Sequence, residues 1–379
     1  MYITRSFLVA GLSTLSACTA QGSAAIPYVD PRQIGTLTST GLNSTNPANI
    51  AIITRQEDEV LPNRTTQVRH GSRMRHILPG APLNFSAEVN GSLVSIDTFM
   101  YDMGLGGLMV VKDGSIRLEK YDHSSQKQSR NFIQSCTKSS TSTAFGIALK
   151  QGKIHFRDLA ERWIPELKED PNRNAVLDLF KTYERVAAPD TVYNHMDQNY
   201  AVTAIALQRA ISEPIENFVT RHIWDPAGMQ YDGYMRTTAA HQVDGHGGLA
   251  ITLADMARFG LFILDNLQGR GGPAVPSGWF EGIAAANTSR GIRAPGNIID
   301  VPGFGYQTGW WTLPRGSNTT YALGDDEVFA ALGMYGQAIY VIPRLNTIVV
   351  LQSYFPIQYG ELFYYGQEFV IALALALKA

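Results

Sequence analysis

Ser135 and Lys138 stand three residues apart at the head of the stretch SCTKSSTSTAFGIALKQGKI, residues 135–154. On a helix that spacing puts both side chains on one face, a turn apart. The serine hydroxyl is then a candidate nucleophile toward a carbonyl carbon, and the lysine amine a candidate base. A helix N-terminus would add partial positive charge and free N–H groups suited to an oxyanion. One condition is strict. Lys138 accepts a proton near neutral pH only if burial or a nearby cation lowers its pKa by several units. Otherwise Ser135 is an N-cap and Lys138 a solvated surface residue. Ser-x-x-Lys alone arises by chance in a chain of this length. A second copy, Ser124 and Lys127, lies in a polar stretch with nothing apolar nearby.

The elements that must position the pair lie on both sides of it. Upstream, GGLMVVKDGSIRLEKY (106–121) alternates around Asp113-Gly114 and predicts a β-hairpin. After Ser135, Ala144, Phe145, Ile147 and Ala148 fall on one helical face, and Gly152 closes the helix. A short helix is expected over FRDLAERWIPEL, a long one from about Asn199, and another from Pro214. GHGGLAITLADMARFGLFIL is a Gly-rich loop and a helix with Thr252 as N-cap and Asp255 three residues on. From Val301 strands dominate, and GQEFVIALALALKA closes the chain as a helix. Strands, helices, strands and a last helix predict an α+β protein. An antiparallel sheet built from both chain ends would be flanked by helices and carry an all-helical subdomain at about 155–245.

Length and charge exclude some functions. The chain has 379 residues, enough for a substantial core, and a net charge of −2 with no Lys/Arg run, so nucleic acid is not an expected partner. No Cys pair, His-x-x-x-His or tight carboxylate cluster has ligand spacing, so neither metal nor other cofactor is expected. His241 and His246, five apart in the Gly-rich loop, do not form a metal motif. The first residues read as an export signal: one positive charge, then a short apolar run ending in Leu15-Ser16-Ala17-Cys18. That ending resembles a bacterial lipobox, with Cys18 lipidated as the mature N-terminus; cleavage near Ala17–Ala25 is the alternative. Residues 1–18 are thus taken as signal peptide, 19–80 as tether and irregular segment, and 81–379 as one domain. A periplasmic or outer-membrane lipoprotein of a Gram-negative bacterium is expected, touching the membrane only through its anchor. With Cys18 lipidated or removed, Cys136 has no partner and packs as a small buried residue.

Four segments in order, SCTKSSTSTAFGIALKQGKI, WIPEL, GGLAITLADMARFGLFIL and GMYGQAIYVIP, resemble the class C β-lactamase-like serine hydrolases. The branch containing 6-aminohexanoate-dimer hydrolases and related esterases is most similar. The resemblance implies the penicillin-recognising fold, with Ser135 as nucleophile and Lys138 as its base. It also implies an oxyanion site of two backbone N–H groups, from Ser135 and from Met334 just after Gly333, with Tyr335 bordering the pocket. Where the family often has Lys-Thr-Gly this chain has Ala331-Leu332-Gly333, so the lysine that clamps a substrate carboxylate is missing. That argues against β-lactam antibiotics as main substrates.

The family tyrosine that relays the proton has no plain counterpart. In YNHMDQNYAV, anchoring on Asn199-Tyr200 aligns His195 with the tyrosine and Asp197 with the Asn or Ser two residues on. His195 could relay the proton itself, since imidazole titrates in a useful range. Tyr193 could swing in instead, or the site could be inactive. Between Lys168 and Asp190 only AVLDLFKTY resembles the family's longer helical segment. Trp310 and Trp311 are expected in the core rather than lining the cleft. The chain is therefore expected to be a serine hydrolase that cleaves a small-molecule ester or amide, or a peptide, through an acyl-Ser135 intermediate. The alternatives are a non-catalytic binding protein on the same scaffold, or a periplasmic peptidase acting on peptide or peptidoglycan fragments.

Overall fold

The computed structural model describes residues 63–89, 91–167, 192–193, 195–238, 241–272, 274–280, 292–293, 304–316, 320–355 and 361–378, with Ile50, Ala51, Thr54, Arg55 and Asp58. Cys18, the signal segment and 168–190 lie outside these residues.

The described chain opens with β1 (Thr65–Val68) and β2 (Leu78–Pro79), then a hairpin of β3 (Ser86–Val89) and β4 (Ser92–Ser95). Ser95 caps α1 (Ile96–Asp102), its hydroxyl accepting from Thr98 N. β5 (Leu105–Lys112) and β6 (Ser115–Tyr121) form the expected hairpin. Its turn residues Asp113 and Gly114 both have positive φ, 52° and 74°, as a two-residue turn of this type requires. β7 (Asn131–Phe132) leads into α2 (Thr137–Lys150), which stops before Gly152. β8 (Val192–Tyr193) and α3 (Asp197–Ile211) come next, then β9 (Gly233–Arg236) and β10 (Leu249–Ile251). α4 (Leu253–Leu267) starts where the sequence places it, with Thr252 accepting from Asp255 N. The last elements are β11 (Ile292–Arg293), β12 (Gly305–Gln307), β13 (Trp310–Thr312), β14 (Phe329–Gly333), β15 (Gln337–Ile342), β16 (Thr347–Ser353) and α5 (Glu361–Lys378).

Eight strands form one sheet in the order β12-β13-β14-β15-β16-β5-β6-β2, antiparallel except at the two-residue β2. The chain's two halves meet where β16 pairs with β5. β5 is apolar up to its last residue, Lys112, because both of its faces are covered. Met109 and Val111 enter a core shared with α2 and α4, and Leu108 and Val110 enter a second core shared with α1 and α5. Phe99 of α1 stacks on Phe369 of α5 at 3.8 Å between ring centroids. This is the expected α+β arrangement, an antiparallel sheet between helical layers. A smaller sheet, β1-β9-β10-β7, holds the approach to the candidate site, with Ile133 N donating to Leu249 O at 2.9 Å.

Candidate active site

Ser135 sits one turn earlier than the helix itself, in a 3-10 turn over Gln134–Cys136 that runs directly into α2. Gln134, just before it, takes a left-handed φ of 49°. Such a conformation costs roughly 1–3 kcal/mol and persists only where surrounding bonds enforce it. Here the Ile133–Leu249 bond and Cys136 N donating to Ile133 O do so. Lys138, in the first turn of α2, is fully buried, which is the condition the chemistry set. Its Nζ lies 2.8 Å from Ser135 Oγ, 2.6 Å from Asp197 Oδ1 and 3.0 Å from the carbonyl oxygen of His246. Burial pushes the Lys138 pKa below the ordinary lysine range, against the opposing pull of Asp197. The other Ser-x-x-Lys pair is on the surface: Lys127 is 69% exposed and reaches Glu119.

The first turn of α3 supplies Asp197, whose carboxylate is half-exposed. Burial alone would raise its pKa, but the Lys138 ammonium holds it below the usual carboxylate range. His195, two residues before, is part-buried among aromatic rings. Its centroid is 5.4 Å from Tyr306, edge-on, and 5.4 Å from Trp311. Burial, reinforced by the positive charge of Lys138, pushes the His195 pKa down to about 4, so the imidazole is neutral at pH 7. Tyr200, one helical turn from Asp197, hydrogen-bonds Tyr306 hydroxyl to hydroxyl at 3.2 Å and presents its ring to Lys138 Nζ at 5.9 Å. Burial raises the Tyr200 pKa to about 12.

Protonating His195 has a measurable consequence for stability. The unfolded chain takes that proton near the ordinary value of about 6.5, the folded chain only near 4. Stability is therefore complete above about pH 6.5 and falls as pH drops, levelling off below 4. At 1.36 kcal/mol per unit and discounted for partial exposure, the loss is about 2 kcal/mol. Urea unfolding at pH 7 and 4.5 is expected to show that much less loss in His195→Asn than in the wild type. Equal losses in the two proteins would contradict it.

The His246 carbonyl is held in place by its own loop. Asp244 is buried and accepts from Arg236 Nε at 3.0 Å and Nη2 at 2.6 Å, and from the backbone N–H groups of His246 and Gly247 at 3.0 and 3.1 Å. Burial would raise its pKa, yet His246 and Arg236 keep it well below the carboxylate range. α2 fastens the same loop: Thr141 Oγ1 donates to Gly245 O at 2.7 Å, and Thr137 Oγ1 accepts from Leu249 N at 3.1 Å. Ser139 Oγ donates to Gly309 O at 2.6 Å, tying down the β12–β13 turn that carries Tyr306 and Trp311 beside it. The run Thr137–Thr143 is polar and wholly buried, and the hydroxyls of Thr137, Ser139 and Thr141 bind backbone outside the helix.

On the other side of Ser135 runs the end of β14. A Cβ on Gly333 would lie 2.4 Å from Ile133 O and 3.1 Å from Ser135 N, so the strand and the turn that carries Ser135 are in direct contact. The next residue, Met334, has a side chain 39% exposed and begins a turn after the strand. Tyr335, expected at the pocket border, is buried. It takes a φ of 63° and packs with Ile50, Ala51 and Tyr354.

Ser135, Lys138, Asp197 and His195 are thus brought to one place, with Gly333 against the Ser135 backbone. Tyr193 is a β8 residue opposite Arg293 of β11; its side chain lies outside the described residues. Trp310 and Trp311 are both buried, and Trp311 also faces His195. Sequence reasoning did not find Tyr200, Tyr306, Asp244 or the carbonyl role of His246. The dense DGHGG run at 244–248 was the available signal, since such a loop lets backbone approach closely. Among the described residues no cluster of three metal-ligating side chains occurs, and no helix is long and apolar enough to cross a membrane.

A profile of the beta-lactamase family matches residues 167–354, a span that holds His195, Asp197, His246 and Met334 and begins downstream of Ser135. A 6-aminohexanoate-dimer hydrolase of Paenarthrobacter ureafaciens is 20% identical over 291 residues, 65% of this chain and 72% of that protein. A solved Bacillus anthracis structure, provisionally named a 6-aminohexanoate-dimer hydrolase, superposes with a TM-score of 0.75 at 18% identity, over 90% of this chain and 99% of the other. The octameric penicillin-binding protein homologue of Pyrococcus abyssi gives 0.55 at 15% identity, over 74% and 76%. Domain match, relatives and fold agree that residues 167–354 carry a beta-lactamase family domain.

Proposed function

We propose that the protein is a serine hydrolase that cleaves an ester or amide through an acyl-Ser135 intermediate. The observation that carries this proposal is the buried Lys138 amine 2.8 Å from Ser135 Oγ. A neutral amine has two N–H bonds and one lone pair. The N–H groups have Asp197 and the His246 carbonyl as acceptors, which leaves the lone pair for the Ser135 hydroxyl proton. That proton moves to Nζ as Oγ bonds to the carbonyl carbon. The Ser135 and Met334 N–H groups then hold the oxyanion. On collapse the bond to the leaving alkoxide or amine breaks, and the proton passes to it from Lys138 by way of His195, neutral and within reach of the Lys138 field. Water repeats the sequence on the acyl-enzyme and restores Ser135. The absent lysine before Leu332 favours neutral esters and amides over substrates that need a carboxylate clamp.

The test is labelling of the purified protein by a fluorophosphonate between about pH 6 and 9. Wild type is expected to react at one site, and Ser135→Ala to lose it completely. A folded wild type that takes no label over that range would leave a binding protein on a hydrolase scaffold.

A further inference from the structure

A cavity of about 220 Å³ opens between α3 and residues 236–238 and 242–246. It adjoins the candidate active site through two shared elements. His246 lines it, and the same residue's carbonyl accepts from Lys138 Nζ. Ala201 and Ile205 also line it; they follow Asp197 at four and eight residues along α3, on one helical face. Each four-residue step advances about 6 Å, so the cavity lies beyond Asp197 on the same face of the helix.

Its chemistry is specific. Ala201, Ile205 and Val243 give an apolar wall. Two buried polar atoms in the lining, Thr237 Oγ1 and Gln242 Nε2, have no hydrogen-bond partner. Thr237 itself is more than nine-tenths buried. Burying such groups unpaired costs stability, so they point to something that satisfies them. Both can donate to a carbonyl oxygen. The charges at the rim already answer one another, since the Arg236 guanidinium forks onto Asp244. An ionic ligand would find no unpaired counterion there. The volume equals that of about seven liquid waters, too small for a large ligand but sufficient for a short chain or small ring.

We propose that this cavity is the specificity pocket of the Ser135 site, taking a small uncharged substrate group with an apolar body and one carbonyl or amide oxygen. This assignment rests on the hydrolase proposal above, so the two need separate readouts. For the pocket, p-nitrophenyl 5-oxohexanoate and p-nitrophenyl hexanoate differ only by a ketone in place of a methylene. With each kcat/KM normalised to the ester's hydroxide rate, wild type is expected to favour the keto ester about fivefold, the size of one net neutral hydrogen bond. Thr237→Val is expected to bring that ratio near one. Because the Thr237 hydroxyl has no protein partner, this variant removes no bond from the fold. A wild-type ratio of one, or a ratio unmoved by both Thr237→Val and Gln242→Leu, would overturn the assignment. Failure of fluorophosphonate labelling would instead sink the hydrolase proposal. In that event saturation-transfer NMR of 2-pentanone with Ser135→Ala decides whether the cavity binds the carbonyl group at all. A transfer signal that Ala201→Phe abolishes supports the site, and one that persists, or never appears, excludes it.

Discussion

Lys138→Met is expected to slow acylation of Ser135 by a factor on the order of 10²–10⁴, the range that general-base catalysis supplies. The substitution removes the only group placed against the serine hydroxyl among the described hydrogen bonds, and does so with little change of volume. Folding should survive. Losing a buried amine also removes its desolvation cost, and the half-exposed Asp197 can take water in its place. The His246 carbonyl loses a partner, at about 1 kcal/mol, and the half-buried Ser135 hydroxyl loses its bond to the amine. Lys138→Arg separates base from bare charge, since a guanidinium is never neutral in a protein. If Lys138 is the base, both variants react slowly with a fluorophosphonate while circular dichroism shows them folded. Were Lys138→Arg to keep most of the wild-type rate, positive charge alone would be the requirement. Were Lys138→Met to keep it, another group, His195 foremost, would be activating Ser135.

The features that could be read from sequence were those fixed by local chemistry. Asp113-Gly114, Thr252 with Asp255, and the apolar face of Ala144, Ile147 and Ala148 each carry their reason within a few residues. So does the Ser135–Lys138 spacing, because a helical turn brings the two together whatever surrounds them. What decides their chemistry is burial, and that was hidden. Thr137–Thr143 is a polar run that looks solvated. It is buried, and two of its hydroxyls, Thr141 and Ser139, meet carbonyls of Gly245 and Gly309, over a hundred residues away in sequence. Asp197 was legible only through the register of the family resemblance, and that register puts it 2.6 Å from Lys138. Tyr306 and Trp311 arrive from distant strands with no local pattern that assigns them to the site, and Asp244 was marked only by the Gly-rich run it opens.

Gly333→Ala is expected to lower the acylation rate by about 10²–10³, the cost of losing one oxyanion donor, although it adds a single methyl. Gly333 has an extended backbone, φ −131° and ψ 162°, which any residue adopts, so the restriction is purely steric. The new Cβ would stand 2.4 Å from Ile133 O, closer than real contacts allow, and 3.1 Å from Ser135 N. Both obstacles are backbone of the nucleophile turn, so relief must come from β14 moving away from Ser135. That motion widens the gap between the Ser135 and Met334 N–H groups. An ångström of misplacement there costs about 10²-fold. Overpacking also costs roughly 1–3 kcal/mol of stability, a second route to lost activity that a control must separate. Gly260→Ala is the control. Its Cβ would meet Ile348 Cγ2 at 2.7 Å where α4 packs on the sheet, a comparable strain with no link to the nucleophile turn. Both variants should melt earlier than wild type in a thermal scan. At a temperature where both are folded, only Gly333→Ala should fail to take the fluorophosphonate at the wild-type rate. Equal rates in the two variants would mean that β14 does not set the oxyanion geometry, and the second donor must then be sought elsewhere than Met334.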